Sequence, residues 1–494
     1  MSNAAFSEGE ISSYTSQLDF QIACRLFQQT YSTNRKLMRY VNQKLRCSLM
    51  CNIKVNQQSW TNNNSESLKH VKNSAMKERI NVLFVGECGV GKSTICGRIL
   101  KCSGKIENKD FERLQQLASE HGRKDNIFAW IFDSLRDERY LGITIKSKRK
   151  YIDLPSGKQV ALISSPGLRK YIKNTIKPLF HTDCLALVFD GSIFAKDEEI
   201  DYNYYLQIME MADALGIRNY FVLISHVDEI EVNEHDLPQL LSEMHQRVSK
   251  KLSRSRLSNL LQCVLPVCPF SEDDILTYQF QNFPSLRNVL ERVHPKSFIK
   301  SSQLIIALSG DCKIGGVGTV AVGSVISGQI NRGDVVYLAP MGLVTPVKDI
   351  VCFGETIETA YTGDFVSFAT MGVRRSQTGC IAVSNSQSLK NSLKPVTSFD
   401  ATIKLTPSDV DFTIKDGCSV ALDAHHVHVF CKVRSIVSIA EEIDVYRCSI
   451  DISKDHVRGF CVLPYNQCKF LGVFCLRFLG NIIAVGKVNQ TRCA

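Results

Sequence analysis

The chain has 494 residues, which at roughly 100–200 residues per domain predicts about three domains, and its 44% hydrophobic and 22% charged residues are those of an ordinary globular protein. No run of 18 or more apolar residues occurs, so no membrane-spanning helix is predicted, and Glu8, Glu10 and Asp19 argue against a secretory or mitochondrial leader; the expected compartment is the cytoplasm. Lys plus Arg number 59 against 49 acidic residues, a formal charge of +10, which fits an RNA or ribosome partner and equally fits a soluble protein with a mixed surface.

Residues 1–77 read as an extension. Phe20 to Leu45 carries Ile22, Leu26, Phe27, Leu37 and Val41 at near-helical spacing and is made basic by Arg25, Arg35, Lys36, Arg39 and Lys44. It is either an RNA- or partner-binding helix or a solvated helix packed on the main body. Gln57 to Ser74, rich in Asn, Ser and Gln, reads as a linker. From residue 78 to 297, short apolar runs (Ile80 to Val85, Val160 to Ile163, Cys184 to Phe189, Tyr220 to Ile224) alternate with helix-length segments, among them Ile95 to Leu100 on a helical period. That alternation predicts a parallel sheet with helices on both faces. The texture then changes to short strands separated by turn signals such as Arg332-Gly333-Asp334 and Thr362-Gly363-Asp364, and it restarts after Ser384 to Ser398. Two β-barrel domains are predicted, at 298–395 and 396–494. The 19 Cys show no paired C-x-x-C spacing, and Cys47 and Cys51 lack a complementary pair, so free, mostly buried thiols are expected rather than zinc ligands.

The most specific local pattern is Gly86-Glu87-Cys88-Gly89-Val90-Gly91-Lys92-Ser93-Thr94, which satisfies G-x-x-x-x-G-K-S/T after a strand pattern and before a helix. Glycines let successive backbone N–H groups converge on phosphate oxygens. Lys92 supplies a point charge for the β- and γ-phosphates, Ser93 a hydroxyl ligand for Mg²⁺, and the helix N-terminus a partial positive charge.

Asn81 to Lys101 resembles the phosphate-loop region of translation elongation factor 1-alpha. The likeness continues through Ala129-Trp130-Ile131-Phe132-Asp133, Glu138-Arg139-Tyr140-Leu141-Gly142-Ile143-Thr144-Ile145 and Lys313-Ile314-Gly315-Gly316-Val317-Gly318-Thr319-Val320. It resumes at Asp423-Ala424-His425-His426-Val427-His428 and at Ile483-Ala484-Val485-Gly486. Release-factor and ribosome-rescue GTPases share the architecture, but the segments at Gly142–Ile145 and Lys313–Val320 favour the elongation factor. The resemblance implies GTP or GDP as ligand, Mg²⁺ at Ser93 and the switch threonine Thr144, and aminoacyl-tRNA and the ribosome as partners.

The resemblance fails where catalysis would reside. The family's D-A-P-G-H is Ser164-Ser165-Pro166-Gly167-Leu168 here, so Ser164 lacks the metal-holding carboxylate and Leu168 cannot orient water. Pro166 and Gly167 retain the backbone that meets the γ-phosphate. The base-reading N-K-M-D is Ser225-His226-Val227-Asp228, in which Asp228 keeps its acceptor while Ser225 loses the amide and His226 the alkyl stem. The later S-G motif aligns with Cys268-Pro269, and proline has no N–H to give. The family's D-M-R-Q near the C-terminus is Phe478-Leu479-Gly480-Asn481. His425 and His428 are expected on opposite faces of one strand, as core or surface residues. Three readings follow: a working GTPase, a pseudo-GTPase that binds nucleotide with little turnover, and an empty structural relic.

Overall fold

The computed structural model describes residues 78–123, 126–196, 200–230, 237–253, 255–271, 274–276, 284–296, 303–314, 318–370, 379–408, 412–439 and 444–493. The extension 1–77, its basic helix and linker, the Gly315–Val317 part of the first-barrel motif and the proposed 297/298 boundary lie outside these residues. Residues 133–142 belong to a different unit from the body of the chain. By themselves they contain one short helix, Arg136–Leu141, whose Leu135 N–H donates to Glu138 Oε2 at 3.1 Å and which ends on Gly142 at φ 67°.

In the body, an α/β layer is followed by two closed β-barrels, the expected architecture. The sheet contains β1 (Arg79–Val85), β2 (Lys148–Asp153), β3 (Gln159–Ser164), β4 (Cys184–Asp190), β5 (Asn219–Ser225) and β6 (Ser258–Pro266), in the order β2-β3-β1-β4-β5-β6. Five strands are parallel; β2 runs antiparallel to β3 at one edge. Neither β2 nor β6 was apparent from apolar runs. In β2 the charged sequence Lys148-Arg149-Lys150 hides the strand, which is only half-buried at an edge.

The apolar alternation of β1 feeds both faces. Ile80, Val82 and Phe84 pack with Ile95 and Ile99 of helix α1 (Lys92–Cys102) and with Phe128 of α3 (Ile127–Phe132), which follows α2 (Asn108–Glu120). Leu83 and Val85 face the opposite side. There they pack with Ile176 of α4 (Ile172–Leu179) and Tyr205 and Met209 of α5 (Tyr202–Ala214). Helices α6 (Leu237–Leu252) and α7 (Leu286–Arg292) complete the layer.

The first barrel closes through β10 (Val335–Ala339), β15 (Ile381–Ser384), β7 (Ile305–Ile314), β8 (Gly318–Ser327), β14 (Phe365–Thr370) and β11 (Leu343–Cys352), with β10 and β11 pairing to complete the ring. The second is β16 (Val396–Leu405), β19 (Val445–Ile452), β18 (Val427–Ser438), β17 (Ser419–Ala424), β20 (Val473–Phe478) and β21 (Asn481–Cys493). Closure leaves no free sheet edge in the second ring.

A polar seam joins the α/β layer to the second barrel. Gln207 of α5 is fully buried; its Nε2 donates to Pro407 O at 2.8 Å, and its Oε1 accepts from Ile482 N at 3.1 Å. Lys404 pairs with Glu210 at 2.9 Å. Arg169 bridges Asp201 and Asn481, and Gly480 lies so close that a Cβ there would meet Arg169 O at 2.9 Å. The Phe478-Leu479-Gly480-Asn481 segment is therefore the β20–β21 turn pressed on the chain after β3. On the other side, Arg79 of β1 pairs with Asp364 of the first barrel at 3.1 Å.

One expectation is corrected. His425 and His428 do not share a strand: His425 sits in the β17–β18 turn at φ 40°, buried, with Nε2 2.9 Å from Cys461 O. His428, in β18, contacts Asp423 at 3.1 Å beside Arg477. Burial drives the His425 pKa down to about 4, so its ring is a neutral structural group.

Gly97 tests the α1–α3 packing. A Cβ there would stand 2.0 Å from Phe128 O, a backbone atom that cannot yield without moving α3. Gly97→Ala is expected to destabilise the α/β layer by about 1–3 kcal/mol despite alanine's better helix propensity. An unchanged or raised Tm for that variant would contradict this packing.

Candidate functional site

Strand β1 lies between β3 and β4, and the loops after β1, β3, β4 and β5 leave the same edge of the sheet. This is the topological switch point at which open α/β sheets form ligand sites. Gly86 to Gly91 make the first loop. Gly89 (φ 93°) and Gly91 (φ 81°) adopt the left-handed conformation that glycine accepts without Cβ strain, and Gly91 caps α1. At Gly86 a Cβ would fall 2.4 Å from Val188 O of β4. Val90 is buried, Cys88 and Gly89 are exposed, and Thr94 is half-buried.

Lys92 is buried and its Nζ donates to Glu87 O at 2.5 Å, so the ammonium is folded across its own loop. The Glu87 carboxyl is half-buried. Burial, with Asp201 nearby, pushes its pKa up against the pull of Arg169 and Lys92. Ser93 opens α1 and its hydroxyl lies 2.8 Å from Thr144 Oγ1 and 2.9 Å from Ser164 Oγ. Ser164 pairs with Phe84 across β1–β3 and is fully buried. Ser93, Thr144 and Ser164 thus bring three neutral hydroxyls together where the resemblance implies a metal. Among the described residues no group of three His, Cys, Asp or Glu side chains is placed to hold a metal ion. Mg²⁺ ordinarily takes one or two carboxylates along with substrate phosphates. The hydroxyls fit it as neutral ligands, but the protein's own negative ligand is missing.

The segment after β3 is held residue by residue. Ser165 donates to Phe84 O at 2.7 Å, and Pro166 O accepts from Thr175 Oγ1 and Tyr204 OH, each at 3.2 Å. Gly167 approaches the phosphate loop so closely that a Cβ would lie 2.4 Å from Glu87 C, Glu87 O and Cys88 N. Leu168 is half-buried, in extended backbone, at the start of the short turn Arg169–Tyr171.

At the end of β5, Ser225 replaces the longer amide yet keeps a tie to the phosphate loop: its buried Oγ lies 2.9 Å from Val90 O and 3.1 Å from Phe189 O. His226 has a left-handed backbone (φ 51°), and its Nδ1 is 3.2 Å from Asp190 Oδ2. Its ring lies over Gly91, whose Cβ position is 3.8 Å from Cε1. Asp228 is exposed in the turn Val227–Glu229. Beyond β6, Val267 N donates to Ile224 O at 2.8 Å, which brings Cys268 and buried Pro269 near the end of β5. Sequence reasoning missed Asp190, Arg169, Tyr204 and Gln207. Asp190 had a signal, an acid closing the apolar run Cys184 to Phe189; the others act through long-range contacts with no local pattern.

The family model for the elongation factor Tu GTP binding domain matches residues 77–335, more than half of the chain. Elongation factor 1-alpha of Plasmodium falciparum is 27% identical over 440 residues, covering 84% of this chain and 96% of that protein. The Saccharomyces cerevisiae factor is 26% identical over 457 residues, covering 84% and 95%. Among solved structures, the S. cerevisiae Ski7 GTPase-like domain bound to GTP superposes with a TM-score of 0.66 at 16% identity, covering 83% of this chain and 97% of that one. At that identity the likeness shows the fold alone.

Because the atoms nearest its Cβ position are backbone atoms of Glu87 and Cys88, Gly167→Ala is expected to push the segment off the Gly86–Gly91 loop. The readout is local: faster amide exchange at residues 86–91 and 165–171, with the barrels unchanged. Unaltered exchange in both segments would contradict the close approach.

Proposed function

This chain belongs to the elongation factor Tu GTP-binding domain family, and from that premise we propose that it is a translation elongation factor 1-alpha-like protein that binds guanine nucleotide, acts with tRNA and ribosomes, and hydrolyses GTP poorly. The observation that carries the reading is the Ser93–Thr144–Ser164 hydroxyl cluster beside an intact phosphate loop. Gly86 to Thr94, Pro166, Gly167, Ser225, His226 and Asp228 form the proposed nucleotide site, and Ser93 and Thr144 the proposed Mg²⁺ ligands. When bound, Mg²⁺ would neutralise phosphate charge, and these hydroxyls would orient it.

Binding and hydrolysis rely on different groups. The loop, Lys92 and the helix N-terminus grip phosphates already present in the ground state. Acceleration requires groups whose interactions strengthen as the transition state forms. Ser164 adds no charge beside the metal; at an effective dielectric of about 20, a unit charge about 4 Å from a divalent ion contributes several kcal/mol before desolvation. The Leu168 side chain has no atom that accepts or donates a proton. The pseudo-GTPase alternative, a nucleotide-stabilised module on ribosomes or translation factors with no turnover, rests on the same cluster taken to its limit.

Support for an RNA partner comes from lysines on the edge of the α/β layer. Lys148 and Lys150 lie in β2, Lys173 and Lys177 in α4, and Lys146 and Lys170 precede these elements. Lys177 is lowered by burial and then, against Asp423, by Lys173 and Lys146; Lys150 is lowered by burial and by Lys148. Such like-charge crowding suits a phosphodiester backbone.

Lys92→Ala is expected to abolish GTP and GDP binding, since it removes the ammonium from the loop; unchanged affinity by calorimetry would refute the phosphate-loop assignment. Single-turnover hydrolysis should be very slow with or without ribosomes. Ser164→Asp with Leu168→His should raise it by about 10²-fold or more, and by more than either change alone. Ribosome-stimulated turnover in the unaltered protein at the rate of an ordinary elongation factor would overturn the proposed impairment.

A further inference from the structure

Asp190 is absorbed neither by the phosphate loop nor by the hydroxyl cluster, yet it is held in place from two sides. It closes β4 in register with Ser225 of β5. Its Oδ1 accepts from Ser192 N at 2.9 Å and from Ser192 Oγ at 2.7 Å, capping the short helix Gly191–Ala195. Its Oδ2 faces His226 Nδ1 at 3.2 Å. A carboxylate fixed in this way fixes the imidazole in turn.

The left-handed backbone of His226 is uncommon for a residue with a side chain. It turns the ring out of the line of β5 and across the phosphate loop. With Nδ1 on Asp190, the opposite edge of the ring faces the loop: Cε1 and Nε2 stand 3.8 and 3.9 Å from the Cβ position of Gly91, one residue before Lys92. The side chain is 25% exposed. The charged groups acting on it are Asp190, from the end of β4, and Glu229 and Asp228, on its own turn; the phosphate loop meets it with the backbone of Gly91.

We propose that the Asp190–His226 pair is an affinity-determining element of the nucleotide site, in which an imidazolium anchored on Asp190 sets a positive charge beside Gly91, in the field of the phosphates of a purine nucleoside di- or triphosphate held on the Gly86–Ser93 loop. The inference rests on the nucleotide-binding reading above and adds a second cation to it. The hydrogen bond to Asp190 raises the His226 pKa above the ordinary imidazole value, against burial, so the ring keeps its proton further toward neutral pH. Asp190 is pushed up by burial but held below its usual range by His226 and Ser192, so it stays ionised throughout. Bound phosphates favour the protonated ring further. By linkage, nucleotide affinity is highest below the His226 pKa and falls as pH rises through it.

The test is binding of a fluorescent GDP to the full chain between pH 6 and 9 at constant ionic strength, with GDP chosen so that hydrolysis plays no part. For the unaltered protein, affinity is expected to fall about 3- to 10-fold across this range, corresponding to a half to one unit of pKa change on binding. His226→Lys should bind with a high affinity whose profile lacks that fall, and His226→Phe with a low affinity whose profile lacks it. Asp190→Asn should move the fall to lower pH. Ionisation of GDP itself is common to all four proteins and cancels in their comparison. Binding with the same pH profile in the unaltered protein and His226→Phe would overturn the inference and leave the nucleotide reading standing. No binding by the unaltered protein at any pH would overturn both.

Discussion

The parallel pairing of β1 between β3 and β4 is the constraint from which the site follows. Each parallel neighbour ends at the same edge, so Gly86, Ser164, Asp190 and Ser225 emerge close together although more than a hundred residues separate the first from the last. Backbone then meets backbone. Gly86 lies on Val188 O, and Gly167 on the carbonyl of Glu87 and the amide of Cys88, at separations that leave no room for a Cβ. Side chains at that edge must be short or absent, and what chemistry is possible depends on the few polar atoms left over.

Those atoms fall into two groups. Gly89 and Gly91 supply left-handed backbone and Lys92 an ammonium at the first loop. Around Ser93 three hydroxyls satisfy one another, and Leu168 offers only an apolar side chain. A buried carboxylate without a partner is costly, whereas hydroxyls in mutual contact are not. An edge built of mutually bonded hydroxyls is therefore comfortable for the folded protein.

The segment after β3 is also fixed by the rest of the molecule. Thr175 and Tyr204 hold Pro166 O, Arg169 reaches Asp201 and Asn481, and Gln207 engages Pro407 and Ile482. A fully buried glutamine with its amide satisfied at both ends specifies one docking geometry between the α/β layer and the second barrel. The segment packed on the Gly86–Gly91 loop and the β20–β21 turn are thus connected through one short stretch of chain.

Local chemistry was enough to determine the α/β layer and the two barrels, and to place the glycine-rich turn Gly86–Gly91 between β1 and α1. Each depends on residue type at fixed spacing: glycines for left-handed backbone, alternating apolar residues for strands. Strand β2 escaped because an edge strand need not be apolar, and the placement of His425 because a turn breaks the alternation that a continuous strand would impose. Only the tertiary structure decided that Ser225 still ties its turn to Val90, that Asp190 holds His226 over Gly91, and that Gln207 and Arg169 join the second barrel. These contacts span from 36 to 312 residues of chain. Their partners are chosen by strand order and domain docking, which no local pattern of residues records.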